Sequence, residues 1–395
     1  MNTKLSKRVN EMATSATLAM AAKARELRQE GKDIIGLSLG EPDFSVPDFV
    51  KESAIKAIND NYHSYTPVDG YGELKQAIIT KFKRDNQLDF ELSQIVVSTG
   101  AKQSLANLAM VLLNEGDEVL LPAPYWVSYS DISKLAGGVP VEIPTSIDTD
   151  FKVTPEELEA AITPKTKMII YSSPCNPSGS VYSKSELRAL ADVLVNYPNI
   201  IVISDEIYEH INYEEGHTSM AIFEDMKDRT VVVNGVSKAY SMTGWRIGYI
   251  GAPDWIARAC NKMQGQITSG ANCIAQRATI TALENPPSKI QYMVDAFKER
   301  RQLILNLISD IPGFKANIPH GAFYVFPDIS YYFGKTINGI TINSASDFSL
   351  FLLENANVAT VTGEAFGDPN CIRISYAASD ENIVEAMSRI KNALK

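Results

Sequence analysis

Cysteine is scarce in this chain, and the four present, Cys175, Cys260, Cys273 and Cys371, are too far apart to form a C-x-x-C pair. The four histidines form no H-x-x-x-H or H-E-x-x-H pattern. Neither a zinc site nor a disulfide framework is indicated, so no metal is expected and the cysteines read as buried free thiols in a reducing compartment. No apolar run reaches the length of a membrane span. The N-terminal stretch carries Lys4, Lys7 and Arg8 without an apolar signal core, and Glu11 and Glu26 argue against a transit peptide. The expected location is the cytoplasm, with no membrane partner. Basic residues are also short: 37 Lys and Arg stand against 47 Asp and Glu, a net charge of -10. That balance disfavours nucleic acid as the main partner, because phosphate contacts need clustered cations. No G-x-G-x-x-G follows the first strand, which disfavours a nicotinamide dehydrogenase. There is no internal repeat and no low-complexity segment.

What remains is an ordinary globular composition, 45% apolar and 21% charged over 395 residues. The length allows two or three domains, or one large one with an appended lobe. After an arm and a helix over 16–29, short β-branched runs alternate with helical patterns. Strands are expected over 94–98, 118–121, 139–143, 166–172, 200–204 and 230–236. Helices are expected over 48–59, 72–86, 101–113, 126–135 and 183–196. Such alternation argues for a mostly parallel sheet covered by helices. A long helical stretch follows over 253–284 and is broken by Pro286-Pro287. The rest reads as a helix over 289–308, strands over 322–326, 358–361 and 371–376, and helices over 344–355 and 380–394. This change of pattern suggests a smaller α+β lobe.

Lys238 is the most informative residue. It follows the apolar run 230–236, with Ser237 before it and Arg246 eight residues on. That setting suits an amine that forms a Schiff base beside a phosphate site. The strand over 200–204 ends in Asp205-Glu206-Ile207-Tyr208, and ligands of open parallel sheets sit beyond the carboxyl ends of strands. An aspartate against a pyridine nitrogen keeps it protonated, and the ring then withdraws electrons, which is the chemistry of pyridoxal 5′-phosphate (PLP). Tyr208 is placed to donate to the ring's phenolate oxygen. Alone, Asp205 reads as a helix N-cap. The turn Thr99-Gly100-Ala101-Lys102 opens a helix whose first N–H groups suit phosphate, although most such turns bind nothing. Ser237 and Arg246 would complete the phosphate cup. Trp126 is either a core residue or a stacking surface for a planar cofactor. Asn176, in the rigid turn Ser173-Pro174-Cys175-Asn176-Pro177-Ser178-Gly179, is either an ordinary loop residue or a ligand for the phenolate oxygen and a substrate carboxylate. Arg373, in an alternating strand, is an exposed edge charge or a carboxylate clamp facing a cleft; the pattern leaves both open.

Taken in order, Ser173-Pro174-x-Asn176-Pro177-Ser178-Gly179, Ser204-Asp205-Glu206-Ile207-Tyr208 and Ser237-Lys238-x-x-x-Met242-Thr243-Gly244-Trp245-Arg246-Ile247-Gly248-Tyr249 resemble the class I PLP-dependent aminotransferases of fold type I. Leu39-Gly40-Glu41-Pro42-Asp43-Phe44 and Pro124-Tyr125-Trp126-Val127-Ser128-Tyr129 are most similar to the bacterial and archaeal aspartate aminotransferases of subgroup Iβ. The resemblance covers nearly the whole chain. It implies an α/β fold with a large domain (47–287) around a mostly parallel seven-stranded sheet. It adds a smaller α+β domain (288–395), joined by part of an N-terminal segment (1–46).

The resemblance also implies roles. Lys238 carries the Schiff base and moves the proton. Asp205 holds the pyridine nitrogen, and Tyr208 and Asn176 bind the phenolate oxygen. Gly100, Ala101, Lys102, Ser237 and Arg246 bind phosphate, helped by Tyr65 from a second subunit, so a homodimer is implied. Trp126 stacks on the ring, and Arg373 takes the substrate α-carboxylate beside Gly40. Lys102 matches a lysine that pairs with the distal carboxylate of aspartate or glutamate. The implied reaction is reversible transfer of the amino group from L-aspartate to 2-oxoglutarate, with ping-pong kinetics. Rival readings are an aromatic, kynurenine or alanine aminotransferase or a β-lyase, against which Lys102 argues, and a non-catalytic PLP-binding regulator. Relatives that accept prephenate tend to carry a basic residue where Ala13 aligns, which argues against that substrate. The bonds Ala123–Pro124 and Asn176–Pro177 are expected to be cis, and the smaller domain to move over the substrate.

Overall fold

Runs of β-branched residues with no polar alternation form strands only where both faces are covered. In the computed structural model, which describes residues 4–12, 14–214 and 216–395, such runs build a seven-stranded sheet. Its spatial order is Ile95–Ser98, Gly248–Gly251, Thr230–Gly235, Ile201–Asp205, Thr166–Ser172, Glu118–Pro122 and Val139–Ile143. Gly248–Gly251 is antiparallel to both neighbours, and the other pairings are parallel. Alternate residues feed opposite faces, as the two-residue period requires. Ile203, Val231 and Val233 pack with Leu105, Leu108 and Ile256 of helices Ala101–Leu112 and Asp254–Ile267. Val202 packs on the other face with Leu187 and Leu190 of helix Lys184–Leu194.

The carboxyl ends of these parallel strands lie on one side of the sheet. Asp205 closes one strand, Ser172 its neighbour, and Ser237-Lys238 follows Gly235. Against that side stands a three-stranded antiparallel sheet of Val361–Thr362, Ile372–Ser375 and Tyr324–Val325. Helices Gln291–Ser309, Ala345–Asn355 and Asp380–Ala393 contribute to the core behind it. The N-terminal segment joins this part, because Ile35–Gly36 pairs in parallel with Val358–Ala359.

Several sequence expectations are corrected. The helix expected over 253–284 is two helices, Asp254–Ile267 and Cys273–Glu284. Between them Ser269 has a φ of +60°. A Cβ on Gly270 would meet Thr66 and the Pro67 carbonyl, so the chain leaves the helical path to pack on that loop. The helix over 72–86 is α-helical to Lys81 and then widens into a π turn, Phe82–Asn86. The strand over 358–361 is two strands, since the chain changes partner at Thr360. The strand Gly248–Gly251 was not expected, nor were helix Pro155–Ala161 and the hairpin Lys335–Ile337 with Ile340–Ile342. Ala123–Pro124 is cis as expected, but the second cis bond is Ser173–Pro174, not Asn176–Pro177. The bend falls where the strand ends and Pro174 meets Gly321; Pro177 lies in the next turn, which Gly179 N closes on Cys175 O at 2.9 Å. Among the described residues, no helix is long and apolar enough to cross a membrane.

Candidate active site

A cavity of about 310 Å³ opens between the strand ends and the three-stranded sheet. Lys238 lies on its wall, and its amine donates to Gly40 O at 2.5 Å. Burial, then the nearby Arg373 charge, pushes its pKa down to about 8. Removal from water disfavours an ammonium, and a neighbouring cation adds to the effect. Asp205 is the buried carboxylate of the same cavity. Its Oδ2 accepts from the Tyr129 hydroxyl at 2.6 Å and its Oδ1 from Ile207 N at 3.2 Å. Burial raises its pKa to about 6, against the pull of these two donors. Tyr208 shares a 2.6 Å hydrogen bond with Tyr324, and burial holds its phenol well above the usual pKa, so it stays a hydroxyl.

Arg373 is only 1% exposed. Its Nη1 donates to Asn176 Oδ1 at 2.9 Å and its Nη2 to Ser38 O at 2.5 Å, while Nε has no partner. The guanidinium lies 4.6 Å from the Tyr324 ring centroid and 5.0 Å from that of Phe366. It makes no ion pair among the described residues. Of the two roles left open by the strand pattern, an exposed edge charge is therefore ruled out. A buried cation without a counter-ion is a place for an anion.

A second anion cradle lies at the start of helix Ala101–Leu112, whose first N–H groups have no partner within the helix. Arg246 reaches it from the far side, donating to Thr243 O at 2.9 Å. Two glycines make the approach close. A Cβ on Gly100, which has a φ of +83°, would lie 2.1 Å from Arg246 Nη2, and one on Gly248 would lie 2.1 Å from Ala101 N. Ala101, Ser237 and Arg246 line the cavity, whereas Gly100 sits behind them. Lys102 rests its ammonium 4.8 Å from the Trp126 ring centroid. Burial, then Arg246, lowers its pKa. The cavity thus gathers a lysine amine, a buried carboxylate and two separate groups of donors that suit an anion.

A family model described as aminotransferase class I and II matches residues 32–390. The aspartate/prephenate aminotransferase of Nitrosomonas europaea is 48% identical over 395 residues, covering 99% of this chain and all of that protein. The chain belongs to the class I and II aminotransferases. Among solved structures, the aspartate aminotransferase of Rhizobium meliloti superposes with a TM-score of 0.95 at 43% identity, covering 99% of this chain and 98% of that one. The Thermus thermophilus aspartate aminotransferase with maleate gives 0.93 at 40% identity, with 99% of each chain covered. The seven-stranded, mostly parallel sheet agrees with these neighbours.

Of the residues singled out from the sequence of this aminotransferase, Gly40, Asn176 and Trp126 also line the cavity. Tyr65 does not; its side chain is fully exposed, at 101% of the reference area. Several cavity residues escaped the sequence reading. Ser15, Thr17 and Leu18, at the start of helix Ala16–Gln29, form part of the wall, and Thr17 Oγ1 is buried without a partner. A serine at a helix N-cap was the only signal there. Tyr129 and Tyr324 also line the cavity and hold Asp205 and Tyr208. Ala13 lies outside the described residues, so its alignment has no structural counterpart.

Proposed function

We propose that this aminotransferase uses PLP to exchange an amino group between L-aspartate and 2-oxoglutarate, giving oxaloacetate and L-glutamate by a ping-pong route. The observation that carries the reading is Arg373, a buried guanidinium with an unpartnered Nε, in one cavity with a second cation, Lys102, and the amine of Lys238. Two separated cations suit a substrate with two carboxylates. The residues fit the cofactor. The cradle of Ala101, Ser237 and Arg246, backed by Gly100 and Gly248, suits a phosphate, and buried Asp205, which makes no ion pair among the described residues, suits a protonated ring nitrogen.

In this reading Arg246, Ser237 and the N–H groups of Ala101 and Lys102 hold the phosphate. Asp205 keeps the proton on the ring nitrogen, and Tyr129 holds Asp205 in place. Tyr208 and the amide nitrogen of Asn176 donate to the ring oxygen, and Trp126 covers one ring face. PLP, when bound, supplies a carbonyl carbon for amines and a cationic ring that draws electrons from the substrate Cα. Arg373 takes the α-carboxylate through its planar fork. Lys102, with the hydroxyls of Ser15 and Thr17, takes the distal carboxylate. Lys238 removes the Cα proton at Nζ and later returns a proton; a pKa near 8 keeps a useful fraction of a free amine neutral at working pH. We read residues 47–287 as the large domain and 288–395, with part of 1–46, as a smaller domain that closes over the substrate. The functional unit in this reading is a homodimer. The four unpaired cysteines of each chain suit a reducing compartment, and we place the protein in the cytoplasm.

The test is the absorption spectrum of the PLP-loaded protein. L-Aspartate should abolish the visible band of the bound cofactor and 2-oxoglutarate should restore it. A band indifferent to aspartate would sink the dicarboxylate assignment, and no band after added PLP would sink the cofactor. A second reading, prephenate as an acceptor, is favoured by the name of the Nitrosomonas europaea relative. Prephenate also carries two carboxylates, and its ability to restore the band decides between a narrow and a broad acceptor range.

A further inference from the structure

The turn 205–210 has two faces. Asp205 and Tyr208 line the cavity. Glu206 and Glu209, one position on from each, are buried away from it. One oxygen of Glu209 pairs with the ammonium of Lys81, which is fully buried, and accepts from Asn234 Nδ2 at 2.9 Å. The other accepts from Asn86 Nδ2 at 2.6 Å. Lys81 donates in turn to Asn86 Oδ1 at 2.7 Å. His210 Nε2 lies 3.3 Å from Glu209 and 3.8 Å from Asp85. Glu206 accepts from Ser204 Oγ at 2.7 Å and faces His217 Nε2 at 2.9 Å. The ligand atoms of Glu206, Glu209 and His217 lie within 4.8 Å of one another. The cation beside Glu209 is the Lys81 ammonium, and His217 is the group that faces Glu206.

A buried ion pair seldom adds net stability, because desolvation offsets the attraction. What this one does is join elements. Asn234 belongs to strand Thr230–Gly235, four residues before Lys238, and its own Oδ1 accepts from Gly235 N at 2.7 Å. Lys81 ends helix Gly72–Lys81. The Glu209 carboxylate therefore bridges the turn that carries Asp205 and Tyr208, the strand that leads to Lys238, and a helix behind both. Although burial pushes its pKa up, Lys81 and the nearby histidines hold Glu209 well below the ordinary carboxylate range. The bridge is therefore ionised throughout the working range.

We propose that Glu209 is a positioning residue: anchored by Lys81 and Asn234, it sets Asp205 and Tyr208 in register with Lys238. The proposal rests on the function given above, and its consequence is kinetic. A small misplacement of reacting groups costs rate far more than it costs binding. Arg373 and Lys102 do not touch the cluster, so substrate affinity should be spared.

The experiment compares the PLP-loaded wild type with two variants. Lys81→Met with Glu209→Gln removes both charges together, so no unpaired ion is left in the core. Asn234→Ala leaves that ion pair and cuts the link to the Lys238 strand, together with the local bond from Gly235 N. In each, kcat should fall about 10- to 100-fold while KM for L-aspartate stays within about threefold. The pH midpoint of the bound cofactor's visible band should also move, because Asp205 no longer sits squarely on the ring nitrogen. A merely structural role would lower the melting temperature and leave both kcat and the midpoint unchanged. Native kcat and a native midpoint in either folded variant overturn the proposal. Absence of the band or of turnover in the wild type would instead sink the proposed function.

Discussion

Arg373 and Lys102 are both cations of one cavity, but they differ in what surrounds them. Arg373 is fixed by Asn176, Ser38 and two aromatic rings, with one donor left over. Lys102 touches mainly the face of Trp126. The first suits the α-carboxylate common to all amino acids, and the second a group that only some carry. Replacing Lys102 by Ala should therefore raise KM for L-aspartate and 2-oxoglutarate about 10- to 100-fold, the weight of a charged hydrogen bond. L-Alanine, which has no distal carboxylate, should react at nearly the wild-type rate. An equal loss with L-alanine would assign Lys102 to the phosphate instead. At this scale the sequence was most readable where chemistry is local. Lys238, Asp205 and Arg246 stand at strand ends inside short motifs. Tyr324 and Thr17 could not be read that way. Tyr324 meets Tyr208 across 116 residues of chain, and Thr17 carries no motif. For Arg373 the strand pattern left two roles, and burial beneath Tyr324 and Phe366 removed one.

Most elements were legible where a β-branched run or an amphipathic stretch exceeded a few residues, although helix Pro155–Ala161 and the hairpin Lys335–Ile337 with Ile340–Ile342 were missed. Elements were not legible where glycine shapes the chain. The strand Gly248–Gly251 has glycine at both ends and only two side chains larger than hydrogen, so neither period nor propensity marks it. Yet its first glycine sets the geometry of the anion cradle. Its missing Cβ lets the backbone of Gly100 and Ala101 lie against the strand; a Cβ there would meet Ala101 N at 2.1 Å and Gly100 C at 2.5 Å, backbone atoms that cannot rotate away. Gly248→Ala should push the start of helix Ala101–Leu112 outward. Overpacking of this kind costs about 1–3 kcal/mol of stability, readable by chemical denaturation. PLP affinity of the cofactor-free protein should fall in parallel, because the helix N–H groups no longer meet the phosphate. Unchanged PLP affinity in a destabilised variant would separate the cradle from the phosphate site. The same reasoning explains the misread helix over 253–284: Gly270 packs where no side chain fits, a contact with Thr66 that no local pattern announces.

The whole molecule poses a question that one chain leaves open, because Tyr65 is fully exposed and lies outside the cavity of its own chain. A phenol reaching a phosphate from there needs a second copy. Tyr65→Phe should weaken PLP binding about 10-fold or more, the loss of one hydrogen bond to an anion. That result alone does not say whose site the hydroxyl serves. Hybrid dimers of Tyr65→Phe and Lys238→Ala chains do. Each hybrid has one site with an intact Lys238, on the Tyr65→Phe chain. If the hydroxyl crosses to the other subunit, that site receives Tyr65 from the Lys238→Ala chain and binds PLP with wild-type affinity. If the hydroxyl serves its own chain, the same site lacks it and stays weakened. Separating the hybrids by differential tagging and titrating the visible band distinguishes the two. Wild-type affinity in the hybrid makes each active site a joint product of two chains, and weakened affinity removes Tyr65 from the dimer argument.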